Sequence, residues 1–441
     1  MSVRICIACR SRFNSRLVAF RLRESFRTRL PLRNPTSVTA GRVEPLPLRQ
    51  LTRARPTPTR LGYRNKCRRV AATGLNFSNH KLFDQPIMEN LMDVWALTEW
   101  DKPLQKIRQP IPTPQGTDVL IKVTHAGVCH SDLHTAEGFY DIGGGQRFYV
   151  KDRGIQLPVA LGHEILGEVA AVGPGAGSIP VGSRQIVYPW LGCGSCTRCS
   201  QEEDNLCAGQ RGLGTLRNGG FGEYVVVPHP KYLVDLGNLD PAVACTFGCS
   251  GITTLSAVSK VMPLPSDEPV LLIGAGGLGL AAISVLKSWG HKFIVTADIN
   301  DEKLAAASAA GATRTVNTSG PSASKDILEA TNGPVIAVID FVNSSSTASL
   351  VKSLVAKGAK WVQVGVMGGS IEMSLVGNIF KGLTIYSNIT GNLDEFRRLV
   401  QMAKEGKLSP VPIQEMAWDS VNEAMDLLKA GRVSGRIVLV K

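Results

Sequence analysis

Between Trp95 and Leu239, apolar and polar residues alternate in short runs such as "DVLIKVTHAGV", "ILGEVAAVG", "RQIVYPW" and "GEYVVVPH". A period of two, broken repeatedly by glycine and proline, predicts short strands with one face buried, and so a compact β-rich unit. Gly-Pro-Gly at 173–175 and Val-Gly-Ser at 181–183 mark its turns. After Asp240 the pattern changes. Short apolar runs ("PVLLIG", "FIVTAD", "RTVN", "VIAVIDFV", "KWVQVG") now alternate with longer helical stretches ("LGLAAISVLKSWG", "DEKLAAASAAGA", "SASKDILEATNG", "TASLVKSLVAKG"). That is repeated β-α-β, which predicts a parallel sheet covered by helices on both faces. Near residue 410 the β-rich character returns and ends in "GRIVLVK". The expectation is an α/β chain in four segments: an extension over 1–87, a β-rich domain over 92–239, a doubly wound parallel-sheet domain over 240–390, and a part over 391–441 that returns to the first domain.

The longest apolar stretch, Val270–Leu286, contains four glycines and lies between Pro269 and Lys287. A membrane span needs about 20 consecutive apolar residues. The glycines suit a strand, turn and helix better, so no membrane partner is expected.

Composition changes this picture at one end only. The chain has 441 residues and a net charge of +13, which alone would suggest nucleic acid. Residues 1–87 carry 19 basic and 3 acidic residues, so the remainder carries 30 basic against 33 acidic, a net of −3. The basic charge therefore belongs to an Arg-rich segment without sustained apolar periodicity. Such a segment cannot bury enough surface to offset its ordering entropy and reads as disordered. It reads either as an over-long start, with Met88 or Met92 as the true beginning, or as a mitochondrial transit peptide. The first places the protein in the cytoplasm and the second in the mitochondrial matrix.

Gly274-Ala-Gly276-Gly277-Leu278-Gly279 follows a predicted strand and opens a predicted helix. Glycines allow a tight turn and close approach of backbone to a pyrophosphate, while the helix N-terminus offers free N–H groups. Asp298 ends the next strand, where a carboxylate can accept hydrogen bonds from a ribose diol. Its charge would repel a 2′-phosphate and no Arg follows directly, so NAD is expected over NADP.

"CGSCTRCSQEEDNLC" places Cys193, Cys196, Cys199 and Cys207 in one short loop. Nothing else signals secretion, which argues against disulfides. Ferredoxins share the C-x2-C-x2-C opening but continue differently. Four thiolates around one zinc would close a tetrahedron and replace a missing core, contributing to folding but not to chemistry. Glu202, Glu203 and Asp204 in the same loop disfavour nucleic acid there.

Three further segments, "GVCHSDLH", "LGHE" and "FGCSGIT", offer Cys129, His163 and Cys249 near predicted strand ends or turns. Two thiolates and an imidazole with a fourth, open position make a catalytic zinc set. Spacing alone does not join residues so far apart, and a lone Cys249 or Cys245 is more often a small buried hydrophobe. His125 and His229 read as structural or surface residues.

Over about residues 92–441 the chain resembles the zinc-dependent medium-chain alcohol dehydrogenases. It carries "GVCHSDLH", "GHE", the four-cysteine loop, "CSGITT" and "GAGGLG" in the family's order. The resemblance implies a GroES-like catalytic domain and a Rossmann domain that binds NAD. It implies two zinc ions per subunit, one catalytic on Cys129, His163 and Cys249, with Glu164 able to approach it, and one structural on the four-cysteine loop. Asp132 matches the carboxylate that orients His163. Ser131 matches the hydroxyl that takes the substrate proton, and His134 the end of a proton path through the cofactor ribose. His130 and Arg436 match positions near the pyrophosphate, and Lys303 one near the adenosine ribose.

The implied activity is interconversion of primary or secondary alcohols with aldehydes or ketones, in a homo-oligomer (dimer or tetramer) joined by its cofactor domains. The strand "LTIYSNI" (383–389) is a candidate contact edge. One alternative is a biosynthetic carbonyl reductase using the same site in the reductive direction. A more distant one is a zinc-stabilised nucleic-acid-binding protein built on residues 1–87 and the four-cysteine loop. The stretch "GFYDIGGGQRFYVKDRGIQLP" (138–158) departs from the shortest family members, and predicts a long connection along the substrate cleft or a subunit contact. Phe139, Tyr140, Phe148, Tyr149 and Trp190 are the expected apolar lining.

Overall fold

The computed structural model describes residues 90–441; segment 1–87, with its reading as a leader or an over-long start, lies outside the described residues. The parallel sheet has the order Arg314–Asn317, Ile294–Asp298, Val270–Ile273, Val335–Asp340, Val355–Gln363, Thr384–Ser387, and every neighbouring pair is parallel. All of Val270–Ile273 is buried, as a strand covered on both faces must be. Successive strands are added to one side of Val270–Ile273 and then to the other. That reversal opens a crevice at the strand ends, where open α/β sheets bind ligands. Val270–Leu286 is strand, turn and helix as expected, the helix Gly277–Ser288 burying Leu280, Ile283 and Leu286. Among the described residues, no single helix is long and apolar enough to cross a membrane.

The second sheet is organised around Val119–Val128. One edge of this strand pairs with Glu164–Val172. The other is shared between Tyr224–Val227, which takes its first half, and the C-terminal strand Arg436–Val440, which takes its second. The last segment of the chain thus closes the sheet that the first segment began. It is not purely β: helix Val421–Lys429 lies between Ile413–Ala417 and Arg436–Val440, which pair in parallel as a β-α-β crossover requires.

Within 92–239, a helix interrupts the β-rich pattern and a hairpin was not foreseen. Helix His130–Glu137 follows the central strand directly. The stretch 138–158, expected as a long connection along the substrate cleft or a subunit contact, begins with a hairpin of Phe139–Gly143 and Gln146–Tyr149. Gly144 and Gly145 at its tip have φ of 60° and 75°, the left-handed values a two-residue hairpin turn demands.

Candidate active site

Strand register assembles the site. Gly127 pairs with Glu164, and Val128 with Ile437. Cys129, His163 and Arg436 each lie one residue beyond these pairs, so all three arrive at the same end of the sheet. Cys249 comes from outside that sheet, at the junction of the turn Thr246–Gly248 and helix Ser250–Val261. The Sγ atoms of Cys129 and Cys249 and a ring nitrogen of His163 lie within 4.8 Å of one another, and all three residues are buried.

Asp132 fixes this arrangement. Fully buried, it accepts from Cys129 N through Oδ2 at 2.9 Å and from Gly162 N through Oδ1 at 3.2 Å. Oδ1 also lies 3.0 Å from His163 Nδ1. A carboxylate can only accept, so the Nδ1–H donates and the lone pair stays on Nε2. That Nε2 is buried and has no hydrogen-bond partner. An orphaned imidazole nitrogen facing two buried thiols fits a metal ion, because burying it unpaired is otherwise costly. The Cys249 thiol, with His163 adding to it against the effect of burial, holds the Cys129 thiol well below its ordinary range. Trp190 packs on His163 at 5.4 Å between ring centres and donates through Nε1 to Gly248 O, so it also steadies the Cys249 turn.

Glu164, expected beside the metal, stands outside the three-donor group. Its Oε1 accepts from Ser250 N at 3.0 Å, and its Oε2 is 2.6 Å from Arg436 Nη2. Burial pushes its carboxyl up while Arg436 pulls it down. Two glycines allow this pair, Gly277 of the expected turn and Gly127, which was not singled out from the sequence. A Cβ on residue 127 would fall on Glu164 Oε2, and one on residue 277 would fall on Arg436 Cδ. Glycine at both positions lets Arg436 run from the metal group to the glycine-rich turn.

That turn has the features of an anion site. Helix Gly277–Ser288 has no side-chain cap at Gly276, and nothing lies within 4 Å of a Cβ placed there. Its first N–H groups are therefore free, which fits a pyrophosphate. Gly274 has φ of 100°, and Gly279 lies against Gly274 O, so a side chain at 279 would break the turn. Leu278 O faces the Thr254 hydroxyl. Asp298 Oδ2 accepts from Ala275 N at 2.7 Å, which ties the second strand end to the turn and leaves lone pairs for a diol. Lys303 lies in the first turn of helix Asp301–Ala310, its N–H capped by Asn300 Oδ1. His130 is exposed at the start of its helix.

Ser131 is half-buried with Oγ 3.9 Å from Cys129 Sγ, beside the metal group. His134 is one helical turn further on, with its Nε2 buried and unpartnered. Of the expected cleft aromatics, Trp190 and Tyr140 face the site, Tyr140 packing on the His134 ring at 5.1 Å. Phe148 and Tyr149 do not: both are exposed, because their strand is the outer half of a two-stranded hairpin. Phe139 carries the Arg147 guanidinium on its ring at 3.9 Å. The hairpin faces Asn343, Ser344 and Ser370 of the parallel-sheet domain across a cleft of about 330 Å³.

The four-cysteine loop forms a second cage. Its sulfurs lie within 4.8 Å of one another, with separations of 3.6 Å (Cys196–Cys199), 3.8 Å (Cys196–Cys207) and 3.9 Å (Cys193–Cys199). A tetrahedral ion with metal–sulfur bonds of about 2.3 Å sets its ligands about 3.8 Å apart. All four cysteines are free rather than disulfide-bonded, and a cage this tight has room for one ion and not for an iron–sulfur cluster. Asp204, one of the acids taken to disfavour nucleic acid there, is fully buried and accepts from Tyr232 Oη at 2.6 Å and Lys231 Nζ at 3.2 Å. Glu202 and Glu203 are paired with Arg397 and Arg198.

Residues 115–238 match the family model of the alcohol dehydrogenase GroES-like domain, and residues 277–405 that of the zinc-binding dehydrogenases. A protein of Sulfurisphaera tokodaii named NAD-dependent alcohol dehydrogenase is 37% identical over 350 residues, 79% of this chain and 100% of that protein. One of the same name from Saccharolobus solfataricus is 37% identical over 78% of this chain and 98% of its own. Among solved structures, an alcohol dehydrogenase of Aeropyrum pernix superposes with a TM-score of 0.73 at 27% identity, covering 79% of this chain and all of that one.

Proposed function

The chain belongs to the zinc-dependent medium-chain alcohol dehydrogenase family, and we propose that it interconverts alcohols and aldehydes or ketones with NAD(H), using one zinc for chemistry and a second for structure. The observation that carries this reading is the orphaned Nε2 of His163 facing the thiols of Cys129 and Cys249. Those three residues would hold the catalytic zinc, which when bound supplies a Lewis acid that polarises the substrate oxygen. The turn 274–279 and Asp298 would hold NAD, which when bound supplies the acceptor of the hydride.

The chain's own residues do the rest. Asp132 holds His163 in the tautomer that leaves Nε2 free. The Ser131 hydroxyl, beside Cys129, accepts the substrate proton as it gives up its own, and His134 Nε2 takes the released proton out of the buried site. Arg436 is held by Glu164 beside the glycine-rich turn, where its charge meets the pyrophosphate. Lys303 and His130 flank the same crevice. Trp190 and Tyr140 exclude water from the reacting end, which favours alcohols and carbonyl compounds of moderate size. Cys193, Cys196, Cys199 and Cys207 would hold the structural zinc.

The subunit contact we propose is the sheet edge Thr384–Ser387, the last strand in its order. Beside it in sequence, helix Leu375–Lys381 exposes Leu375, Val376, Ile379 and Phe380, an apolar face suited to a second copy.

Metal analysis and NAD-linked turnover across a panel of alcohols and aldehydes test this reading together. Two zincs per chain and NAD-linked activity that disappears on chelation are expected. Full activity in metal-free protein would overturn it.

A further inference from the structure

We propose that Glu137 is a positioning residue for the proton outlet: it holds the His134 ring with Nδ1–H outward, so that Nε2 stays free toward the buried site. The proposal rests on the reading of His134 as the group through which a substrate proton leaves.

Both residues lie on helix His130–Glu137, and a spacing of three puts them on one face. His134 Nδ1 is 3.6 Å from Glu137 Oε2, the distance of a charge pair rather than a direct hydrogen bond. The other ring nitrogen is buried without a partner. A carboxylate beside Nδ1 favours the proton there and leaves the Nε2 lone pair free to accept. The Tyr140 ring from the hairpin limits rotation of the imidazole. Glu137 is itself held: its Oε1 accepts from Lys429 Nζ at 2.8 Å, across from helix Val421–Lys429. The result is a base oriented by a third group, as in catalytic triads.

The charged and titratable groups facing His134 come from three elements. Its own helix and that helix's cap contribute Glu137, His130 and Cys129, the neighbouring helix Lys429, and the hairpin Tyr140. Burial pushes the imidazole below its ordinary range, and Glu137 opposes that. A proton accepted at Nε2 makes an imidazolium that Glu137 stabilises. The Nδ1 proton then leaves along the Glu137–Lys429 edge, where the Lys429 side chain is 60% exposed.

Histidine ¹⁵N NMR titration of the full chain tests this, with His134→Gln identifying the ring signals among seven histidines. Glu137→Gln removes a negative charge, so His134 should titrate at least half a unit lower and lose Nδ1–H tautomer. Lys429→Gln removes a positive one, so it should titrate higher. Glu137→Asp should restore part of the wild-type behaviour. The rising limb of kcat/KM against pH for alcohol oxidation should follow the NMR values. If His134 titrates unchanged in Glu137→Gln, or if both charge removals move it the same way, the pairing is overturned. If the NMR values move and the kinetic limb does not, His134 is not the outlet, and Glu137 loses its role in turnover.

Discussion

Asp132 Oδ1 lies 3.0 Å from His163 Nδ1, and both side chains are fully buried. The same carboxylate accepts from the backbone of Cys129 and of Gly162, so one group orients a ligand imidazole and pins both ligand-bearing segments. Asp132→Asn keeps the volume and removes the charge. Zinc affinity should fall about ten- to a hundredfold, since such partners of ligating histidines contribute on that scale. Competition with a chromogenic chelator reads the affinity, and circular dichroism checks that the fold survives. Wild-type affinity in this variant would mean that packing on Trp190 alone orients His163.

Cys129 and His163 arrive on one sheet and the nucleotide turn on the other, so their losses should separate. Cys129→Ser and His163→Ala should each abolish turnover. NAD should still bind, because the turn 274–279 and Asp298 belong to the parallel sheet. Fluorescence titration with NADH measures the binding that turnover no longer reports. Loss of cofactor binding in either variant would show that the two sites fold as one.

What was legible in the sequence follows from whether the signal is local. The glycine-rich turn and the four-cysteine loop are legible because short spacing along the chain fixes short spacing in space. Cys129, His163 and Cys249 are not, because their meeting depends on the register Gly127–Glu164 and Val128–Ile437. Alternation predicts that strands exist, not which strands pair. Only the family resemblance joins those three residues. Asp204 looks like surface in "QEEDNLC"; its burial is set by Lys231 and Tyr232, which come later in the chain. Phe148 and Tyr149 show the reverse error, where aromatic composition predicts a lining that the outer strand of a hairpin turns to solvent. Helix Val421–Lys429 was legible: Val421, Ala424, Met425 and Leu428 have helical spacing and are buried, which the β-rich expectation for that stretch overlooks.

On the proposed reading, Asp298 would carry cofactor choice in one charge. Its Oδ1 and Oδ2 already accept from Asn300 N and Ala275 N, so a substitution must keep an acceptor to spare the turn. Asp298→Asn does. It should raise KM for NAD about tenfold or more, the scale of a hydrogen bond to a charged group, about 1.5–3 kcal/mol. It should also improve use of NADP by removing the repulsion of a 2′-phosphate. Paired kcat/KM values for the two cofactors measure the change. An unaltered NAD to NADP ratio would place the discrimination elsewhere.

The four-cysteine lobe does more than fold itself. Tyr188 Oη donates to Gly391 O at 2.9 Å, Asn205 Nδ2 to Ile389 O at 2.9 Å, and Arg397 Nη1 to Glu202 at 2.9 Å. These bonds fasten the lobe and its supporting strand to segment 388–397. That segment leads from the parallel-sheet edge into helix Leu393–Lys404 and on toward the strand Ile413–Ala417 of the other sheet. Asn205 and Glu202 lie between the third and fourth cysteines, so the ion proposed on the four sulfurs would hold both in place. Cys196→Ala should therefore lower the melting temperature and leave one zinc per chain. Before global unfolding it should also expose residues 388–393 to hydrogen exchange and raise KM for NAD as the connection between the sheets loosens. Hydrogen-exchange mass spectrometry of that segment is the decisive measurement. If its protection is unchanged while stability falls, the lobe stabilises only its own domain and the fastening is incidental.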